Sequence, residues 1–202
     1  IQLLFLLLSS ILIAFLILKN LNQNFLINSI LISSALYLFF VTIKDFFVSK
    51  FGNISQNIAH FGFSLLILSI LFNNLFSSEI ITNLKIGETF ENSETKIIFE
   101  SIDQKKEKNY DSIIANFKIH SANGEKEKLS PELRIYNQPI IATSEADIKT
   151  TLMSDKFIVV NLVQNQDFFN VRYQVKPFML WIWISVILIS FGGLISFLQK
   201  RL

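Results

Sequence analysis

The sequence predicts a multi-pass α-helical membrane protein with an outward-facing all-β domain, a small barrel or sandwich, inserted before the last helix. Long apolar runs occupy both ends of the 202-residue chain, and a helix that crosses a bilayer needs roughly 20 apolar residues. Most charged residues lie between these runs, where apolar and polar residues alternate as in half-buried strands. We therefore expect transmembrane helices one to three in residues 1–78, a β domain in 79–177, and the last helix with a cytoplasmic tail in 178–202.

The composition supports a membrane protein and excludes several other classes. Hydrophobic residues make up 51% of the chain and charged residues 17%, whereas an ordinary soluble domain carries about 25% charged residues. The net charge of +2 is not gathered into a basic stripe, so we expect no nucleic-acid partner. The absence of cysteine excludes disulfides and zinc ribbons within this sequence. The first apolar run begins at Ile1 without the features of a signal peptide, so we expect a larger protein upstream.

Four apolar stretches are predicted to span the membrane, and basic residues orient them. The spans are residues 1–18, 25–43, 58–76 and 178–198. Lys44 and Lys50 follow the second span, and Lys200 and Arg201 follow the last. Because basic residues favour the cytoplasmic side, we place them in the cytoplasm or the mitochondrial matrix, and the β domain in the periplasm or intermembrane space.

The segment between the third and fourth spans predicts six or seven short strands. Three are clear from their patterns, at residues 112–120, 156–163 and 169–175. The inward-facing residues of the first are expected to be Ile113, Ala115, Phe117 and Ile119, and those of the last Phe169, Val171, Tyr173 and Val175. Turn signals at 123–124, 130–131 and 137–139 separate the strands. About 99 residues of this kind favour a small barrel or sandwich.

His60 is the candidate functional residue of the membrane part. An ionisable residue inside a span is costly, so it normally faces a bundle interior or a cavity and marks a function. Gln56, Asn57 and Ser64 lie one helical turn away on the same face, and Gly62 permits a close approach. A neutral imidazole in an apolar pocket is a good axial ligand for haem iron. The residues alone leave three interpretations open: a haem ligand, a proton relay, and a structural hydrogen bond between helices.

The β domain offers weaker candidates. His120 shares the polar face of its strand with Asn116 and Lys118, so we expect it to be exposed to solvent. Glu132 and Arg134 share one face of an extended segment and are expected to form a surface ion pair; partner docking is the alternative.

Other features of the sequence point away from an independent enzyme. The two carboxylates at Glu145 and Asp147 are expected to be solvated. The sequence lacks G-x-S-x-G, H-E-x-x-H, C-x-x-C and Gly-rich phosphate loops, so we expect no catalytic residue and no activity of this segment alone. Gly192-Gly193 predicts tight helix packing.

An ordered set of short motifs resembles the C-terminal region of the CcmF family of haem lyase subunits, over roughly residues 55–198. The set comprises Ala59-His60-Phe61-Gly62, Asn109-Tyr110, Pro131-Glu132-Leu133-Arg134-Ile135-Tyr136, Ser144-Glu145-Ala146-Asp147-Ile148, Val171-Arg172, Lys176-Pro177-Phe178-Met179-Leu180-Trp181-Ile182-Trp183 and Phe191-Gly192-Gly193-Leu194. Leu133 stands where the family resemblance leads us to expect lysine, and Ser185 where we expect glycine.

The resemblance implies a role in attaching haem covalently to apocytochrome c during cytochrome c maturation. It implies haem b as a cofactor, with His60 as one axial ligand of the haem iron. Implied partners are apocytochrome c, the haem chaperone CcmE, CcmH-type and CcmI-type subunits, and membrane lipid. The implied location is the bacterial inner membrane, or the mitochondrial inner membrane for an organelle-encoded protein. The family's tryptophan-rich haem segment and its second haem b histidine are not in this sequence. The alternative is a non-catalytic membrane scaffold or partner-docking subunit without haem.

Overall fold

The computed structural model describes residues 1–19, 21, 24–48, 54–122, 124–163 and 167–199. It divides into two compact units, a helical one within 1–76 and 177–202 and a β one within 77–176. The fold class predicted from the sequence is confirmed: apolar helices, a β-sandwich domain, and a final helix after it. Lys50, Lys200, Arg201 and Asn123, used above for orientation and for a turn, lie outside the described residues. The orientation in the membrane therefore stays a prediction.

Four helices form the helical unit. They are α1 (Gln2–Leu18), α2 (Phe25–Val48), α3 (Ile54–Phe76) and α4 (Met179–Gln199). By length and composition, α2, α3 and α4 could each cross a membrane, whereas α1 has only 17 residues in the described part of the chain. The α2 helix continues to Val48, beyond the predicted end at residue 43, and Lys44 and Asp45 form an ion pair of 3.2 Å on its surface.

The helices pack sequentially, with α1 against α2, α2 against α3, and α3 against α4. The buried apolar residues of the first three helices form one cluster: Ala14, Leu18, Ile32, Ala35, Leu36 and Leu68. Many other apolar side chains on these helices are exposed. Such surfaces match a bilayer, whose interior is as apolar as the side chains themselves.

The β unit contains ten strands within the described residues, more than the six or seven predicted. They are β1 (Ser78–Leu84), β2 (Thr89–Glu91), β3 (Thr95–Lys106), β4 (Tyr110–Ser121), β5 (Lys126–Leu129), β6 (Glu132–Asn137), β7 (Ile140–Glu145), β8 (Asp147–Thr150), β9 (Ser154–Leu162) and β10 (Phe169–Pro177). The short strands β2, β5 and β8 have three or four residues. An alternating pattern cannot be recognised over so few positions, which explains the undercount.

Two sheets enclose the core of this unit. One has the order β1-β10-β9-β8, and the other has β2-β3-β4-β6-β7, with β5 also paired to β4. Phe99 of β3 and Phe117 of β4 are opposite each other in the second sheet, and their buried rings stack at a centroid distance of 4.5 Å. The predicted inward residues Ala115, Phe117 and Ile119 are buried, and so are Val171 and Tyr173. Because β1 and β10 pair antiparallel, the first and last strands of the domain are neighbours.

Candidate functional site

His60 lies in the first half of α3, on a face that the described helices leave exposed. Gln56, Phe63 and Ile70 are exposed on the same side of α3, at helical spacing. Within the described residues the His60 imidazole has no hydrogen-bond partner, so both ring nitrogens are available. The expectation that His60 faces the interior of this bundle is therefore wrong for the helices present here.

The three polar residues predicted to share a face with His60 lie in two different environments. Ser64 is fully buried and its hydroxyl lies 2.8 Å from the Thr42 hydroxyl of α2. Asn57 is half-buried, and its amide donates to the Asp45 carbonyl at 3.5 Å. Of these three polar residues, only Gln56 is exposed on the same side as His60. At 100° per residue, Ser64 and Asn57 are rotated by about 40° and 60° from His60 in one direction, toward α2, whereas Gln56 is rotated by about 40° in the other direction.

Close packing of α3 on α4 fixes the backbone that carries His60. A Cβ added at Gly192 would approach the Ala59 nitrogen to 2.7 Å and the Ser55 carbonyl oxygen to 2.8 Å. A Cβ added at Gly62 would approach the Leu188 Cβ to 2.9 Å. The packing predicted from Gly192-Gly193 is therefore correct for Gly192 alone, since open space surrounds Gly193. The two contacting glycines flank His60 and hold this turn of α3 at a fixed position.

An apolar recess of about 560 Å³ lies elsewhere on the helical unit, between α2, α3 and α4. Phe46, Phe61 and Phe191 line it, and no polar side chain does. His60 does not contribute to this recess. The recess has the chemistry of a lipid-contacting surface and offers no ligand to a metal.

The chemistry around His60 fits one axial bond to a haem iron. The ring has no hydrogen-bond partner among the described residues, and it is exposed on an apolar helix, as is Phe63 one turn away. The described residues contain no group of three or more His, Asp or Glu side chains that could hold another metal. Among the described residues, His60 is thus a candidate to supply one nitrogen ligand to a metal.

His120 of the β domain is half-buried on the outer face of β4, less exposed than predicted. Lys96 and Lys126 lie directly opposite it on the neighbouring strands. With Lys118 and Lys128 it lines a groove of about 530 Å³. Glu100 and Glu127 line the same groove, and Lys118 is paired with Glu100, so the groove carries charges of both signs. The interpretation of His120 as an ordinary surface residue stays a prediction.

Arg134 organises a cluster on the outer face of β6. Its Nε donates to the Glu132 carboxylate at 3.0 Å, which is the ion pair predicted from the sequence. The hydrogen bond to Glu132 raises the pKa of Arg134. The guanidinium also lies 5.2 Å from the ring centroid of Tyr110, whose ring packs on Tyr136 at 5.4 Å. Tyr136 was expected on this face with Glu132 and Arg134, but the contribution of Tyr110 was not predicted, because Tyr110 is distant in sequence.

The carboxylates Glu145 and Asp147 belong to different sheets and do not act together. Glu145 ends β7 and lies 3.9 Å from Arg134. Asp147 begins β8 and accepts a hydrogen bond from the Ser130 backbone at 2.6 Å. They are half-buried and already paired, so the expected solvated face is only partly present.

A buried ion pair inside the sandwich was not foreseen. Lys156 on β9 is 8% exposed and Glu127 on β5 is 7% exposed. The Lys156 ammonium donates to Glu127 at 3.1 Å and to Glu125 at 2.6 Å. Burial alone would lower the pKa of Lys156, but the hydrogen bonds to Glu125 and Glu127 outweigh it and raise the pKa. The second carboxylate oxygen of Glu127 is buried without a hydrogen-bond partner in the described structure.

Comparison with known families matches residues 75–177 to the CcmF C-terminal beta-sandwich. This chain belongs to the CcmF family. The matched residues run from the end of α3 to the end of β10, and so include the whole sandwich. The resemblance inferred from the sequence motifs is thereby confirmed.

Curated relatives extend the similarity into the helices of this CcmF-family chain. It is 32% identical to the cytochrome c-type biogenesis protein ccl1 of Rhodobacter capsulatus over 58% of this chain and 18% of that protein. It is 28% identical to CcmF of Pseudomonas fluorescens over 72% of this chain and 22% of that protein. It is 26% identical to CcmF of Haemophilus influenzae over 81% of this chain and 25% of that protein. The chain thus spans about a quarter or less of these relatives.

A solved structure shares the fold. The structure named Cytochrome c Heme Lyase CcmF superimposes with a TM-score of 0.69, at 18% identity, over 95% of this chain and 33% of that one. The similarity therefore covers both the helices and the sandwich of this chain. The chain is thus a member of the CcmF family with three helices long and apolar enough to cross a membrane, and the relatives that it matches are named for cytochrome c biogenesis.

Proposed function

We propose that this chain is the C-terminal part of a haem lyase subunit that attaches haem covalently to apocytochrome c. The observation that carries the proposal is His60, an unpaired imidazole on the exposed face of a membrane-type helix, in a chain of the CcmF family. A neutral imidazole on such a face is costly without a partner, and a haem iron is a partner that satisfies it.

In this proposal His60 is one axial ligand of a haem b. The close contacts of Gly62 and Gly192 position the α3 turn that carries it. Any further ligand of the haem, and the groups that form the thioether bonds, would be supplied from outside this segment. A haem b held there would supply electron transfer. The chain's own contribution is to hold one nitrogen ligand in place.

The β domain is proposed to face the periplasm, or the intermembrane space of a mitochondrion, from the inner membrane. Apocytochrome c, the haem chaperone CcmE and CcmH-type and CcmI-type subunits are the proposed partners. The outer faces of the β domain carry clusters of charged and aromatic side chains, such as Arg134 with Tyr110 and Tyr136. Arginine and tyrosine are enriched in protein–protein interfaces. The segment contributes no catalytic residue to the proposal.

The test is a reduced-minus-oxidised absorption spectrum of the natural complex that contains this chain, purified in detergent. His60→Gly should remove the b-type haem signal, and added imidazole should restore part of it, because a free base can replace the missing ligand. His120→Ala is the matched control, since it removes the only other histidine of the sequence.

Two outcomes would contradict the proposal. An unchanged haem spectrum in His60→Gly would exclude His60 as a ligand. A complex without haem in any variant, still able to bind its partners, would favour the scaffold function.

A further inference from the structure

The free edges of the β domain are protected unequally. Exposed sheet edges invite pairing with other chains, and charged residues normally discourage it. Each of the five edge strands in the described residues carries at least one charged residue: Glu79 on β1, Glu91 on β2, Lys126 on β5, Glu145 on β7 and Lys149 on β8. The first half of β7 is Ile140-Ile141-Ala142 and carries none.

This first half of β7 is also open to solvent. Ile140 is 85% exposed and Ile141 is 51% exposed, and Ala142 is exposed as well. The second half is covered, since the Ser144 hydroxyl donates to the Asn161 side chain of β9 at 2.6 Å. The unprotected edge is therefore limited to residues 140–142, which we call the β7 edge.

Hydrogen bonds elsewhere in the sheet show which backbone groups of the β7 edge are free. The Asn137 amide donates to the Asn109 carbonyl at 3.2 Å, and the Ala115 amide donates to Pro131 at 3.0 Å. The odd-numbered residues of β6 thus direct their backbone groups toward β4, and the even-numbered ones toward β7.

The register of β6 and β7 then assigns each residue of the edge. Tyr136 is opposite Ile141, and Arg134 is opposite Thr143. Ile141 and Thr143 therefore complete the ladder with β6, while the N–H and C=O groups of Ile140 and Ala142 point outward. An extended backbone laid along this edge would satisfy these groups.

A row of side chains ends at the same edge. Tyr110, Tyr136 and Ile141 lie directly opposite one another on adjacent strands, and so share one face. Arg134 stacks on Tyr110 beside this row. Tyr and Arg are the residues most enriched at interaction hot spots, and a side chain of an added strand would extend the row next to Ile141.

We propose that the β7 edge binds an extended segment of an unfolded polypeptide by strand addition. Backbone hydrogen bonds to Ile140 and Ala142 supply binding that tolerates many sequences, and the row at Ile141 selects an apolar or aromatic side chain. The proposal rests on the proposed function in one respect, since that function supplies an unfolded polypeptide, apocytochrome c, as the occupant. The edge has three open residues, which is too short for a stable interface between two copies of this chain.

Hydrogen exchange of the full chain in lipid nanodiscs tests this. The probe is a synthetic peptide that covers the haem-attachment segment of an apocytochrome c, with both cysteines replaced by serine. We expect the peptide to slow exchange in residues 140–145. Ala142→Pro removes one outward N–H without breaking the β6 ladder, and should weaken binding about tenfold. Ala142→Thr keeps the N–H and should bind as the wild type does.

A second variant keeps the test decisive if Ala142→Pro disturbs the fold. Ile140→Lys adds the charge that the other edges carry, and should also weaken binding. Protection at another strand, or equal binding by all variants, would overturn the proposal. Protection of β7 that rises with protein concentration without peptide would overturn it too, because a second copy would then occupy the edge. The haem spectrum tests the proposed function separately, so failure of one is distinguishable from failure of the other.

Discussion

Gly192 of α4 lies directly against Ala59 of α3, the residue before His60. A Cβ at Gly192 would come within 2.7 Å of the Ala59 nitrogen. Backbone atoms cannot move aside as a flexible side chain can. The position of α4 therefore determines where His60 projects, although α4 carries no ligand itself.

The first prediction concerns this contact. Gly192→Ala should force α3 and α4 apart and destabilise the helical unit by about 1–3 kcal/mol, as overpacking does. Gly193→Ala is the matched control, since a Cβ there meets nothing within 4 Å. Thermal unfolding in detergent measures both. Equal midpoints for the two variants would show that the helices do not pack as described.

The second prediction concerns the buried ion pair of the sandwich. Lys156→Met should destabilise the β domain by about 3 kcal/mol, because it removes the main partner of the buried Glu127 carboxylate. Lys149→Met is the control: it lies 3.4 Å from Glu127 but its side chain is 49% exposed, so its loss should cost well under 1 kcal/mol. Hydrogen exchange of β9 amides measures the local stability. Similar costs for the two lysines would contradict the difference in burial.

Acid sensitivity should depend on Glu79. Its carboxylate accepts a hydrogen bond from the Gln174 side chain at 2.6 Å and also binds Arg172, and both contacts hold the pKa of Glu79 below 4.5. The stability that they contribute is present above pH 4.5 and is lost as the pH falls through the lower, folded-state value. Glu79→Gln should flatten this part of the curve of melting temperature against pH.

The control for that experiment is Glu94→Gln, because Glu94 has no ion-pair partner within the described residues. Its curve should follow the wild type. If Glu79→Gln and the wild type lost stability in parallel below pH 4.5, other carboxylates would control the acid transition.

Alkaline sensitivity should depend on Tyr173. Burial raises the pKa of Tyr173 from 10 to about 12, with further small effects from the neighbouring charges. Since the unfolded state loses this proton first, stability is complete below pH 10 and declines between pH 10 and about 12. Tyrosinate absorbance should therefore show a late step that disappears in Tyr173→Phe. The step should persist in Tyr110→Phe, and its persistence in Tyr173→Phe would refute the assignment.

Some of this structure could be predicted from the sequence because it depends on local patterns. Alternation placed Ala115, Phe117 and Ile119 in the core, and hydropathy located the helices. Contacts between distant residues could not be predicted in this way. Lys156 and Glu127 meet only because their sheets pack face to face, and nothing near either residue signals the other.

The candidate site also has a part that the sequence predicts and a part that it does not. His60 stood out in the sequence because an ionisable side chain in an apolar helix is unusual. Its surroundings were predicted less well: Ser64 follows it by one turn, yet packs against Thr42 of α2. A one-turn spacing brings two residues near the same face, but neighbouring helices decide which of them remains exposed.

The pairing of β1 with β10 has a consequence for how this architecture can change. Ser78 and Val175 are opposite each other, so the sandwich begins and ends at adjacent positions. A domain with adjoining ends is an insertion that can be shortened, exchanged or removed at a single junction. Replacing such a domain would leave the helices on either side of it, α3 and α4, with the same two ends to join.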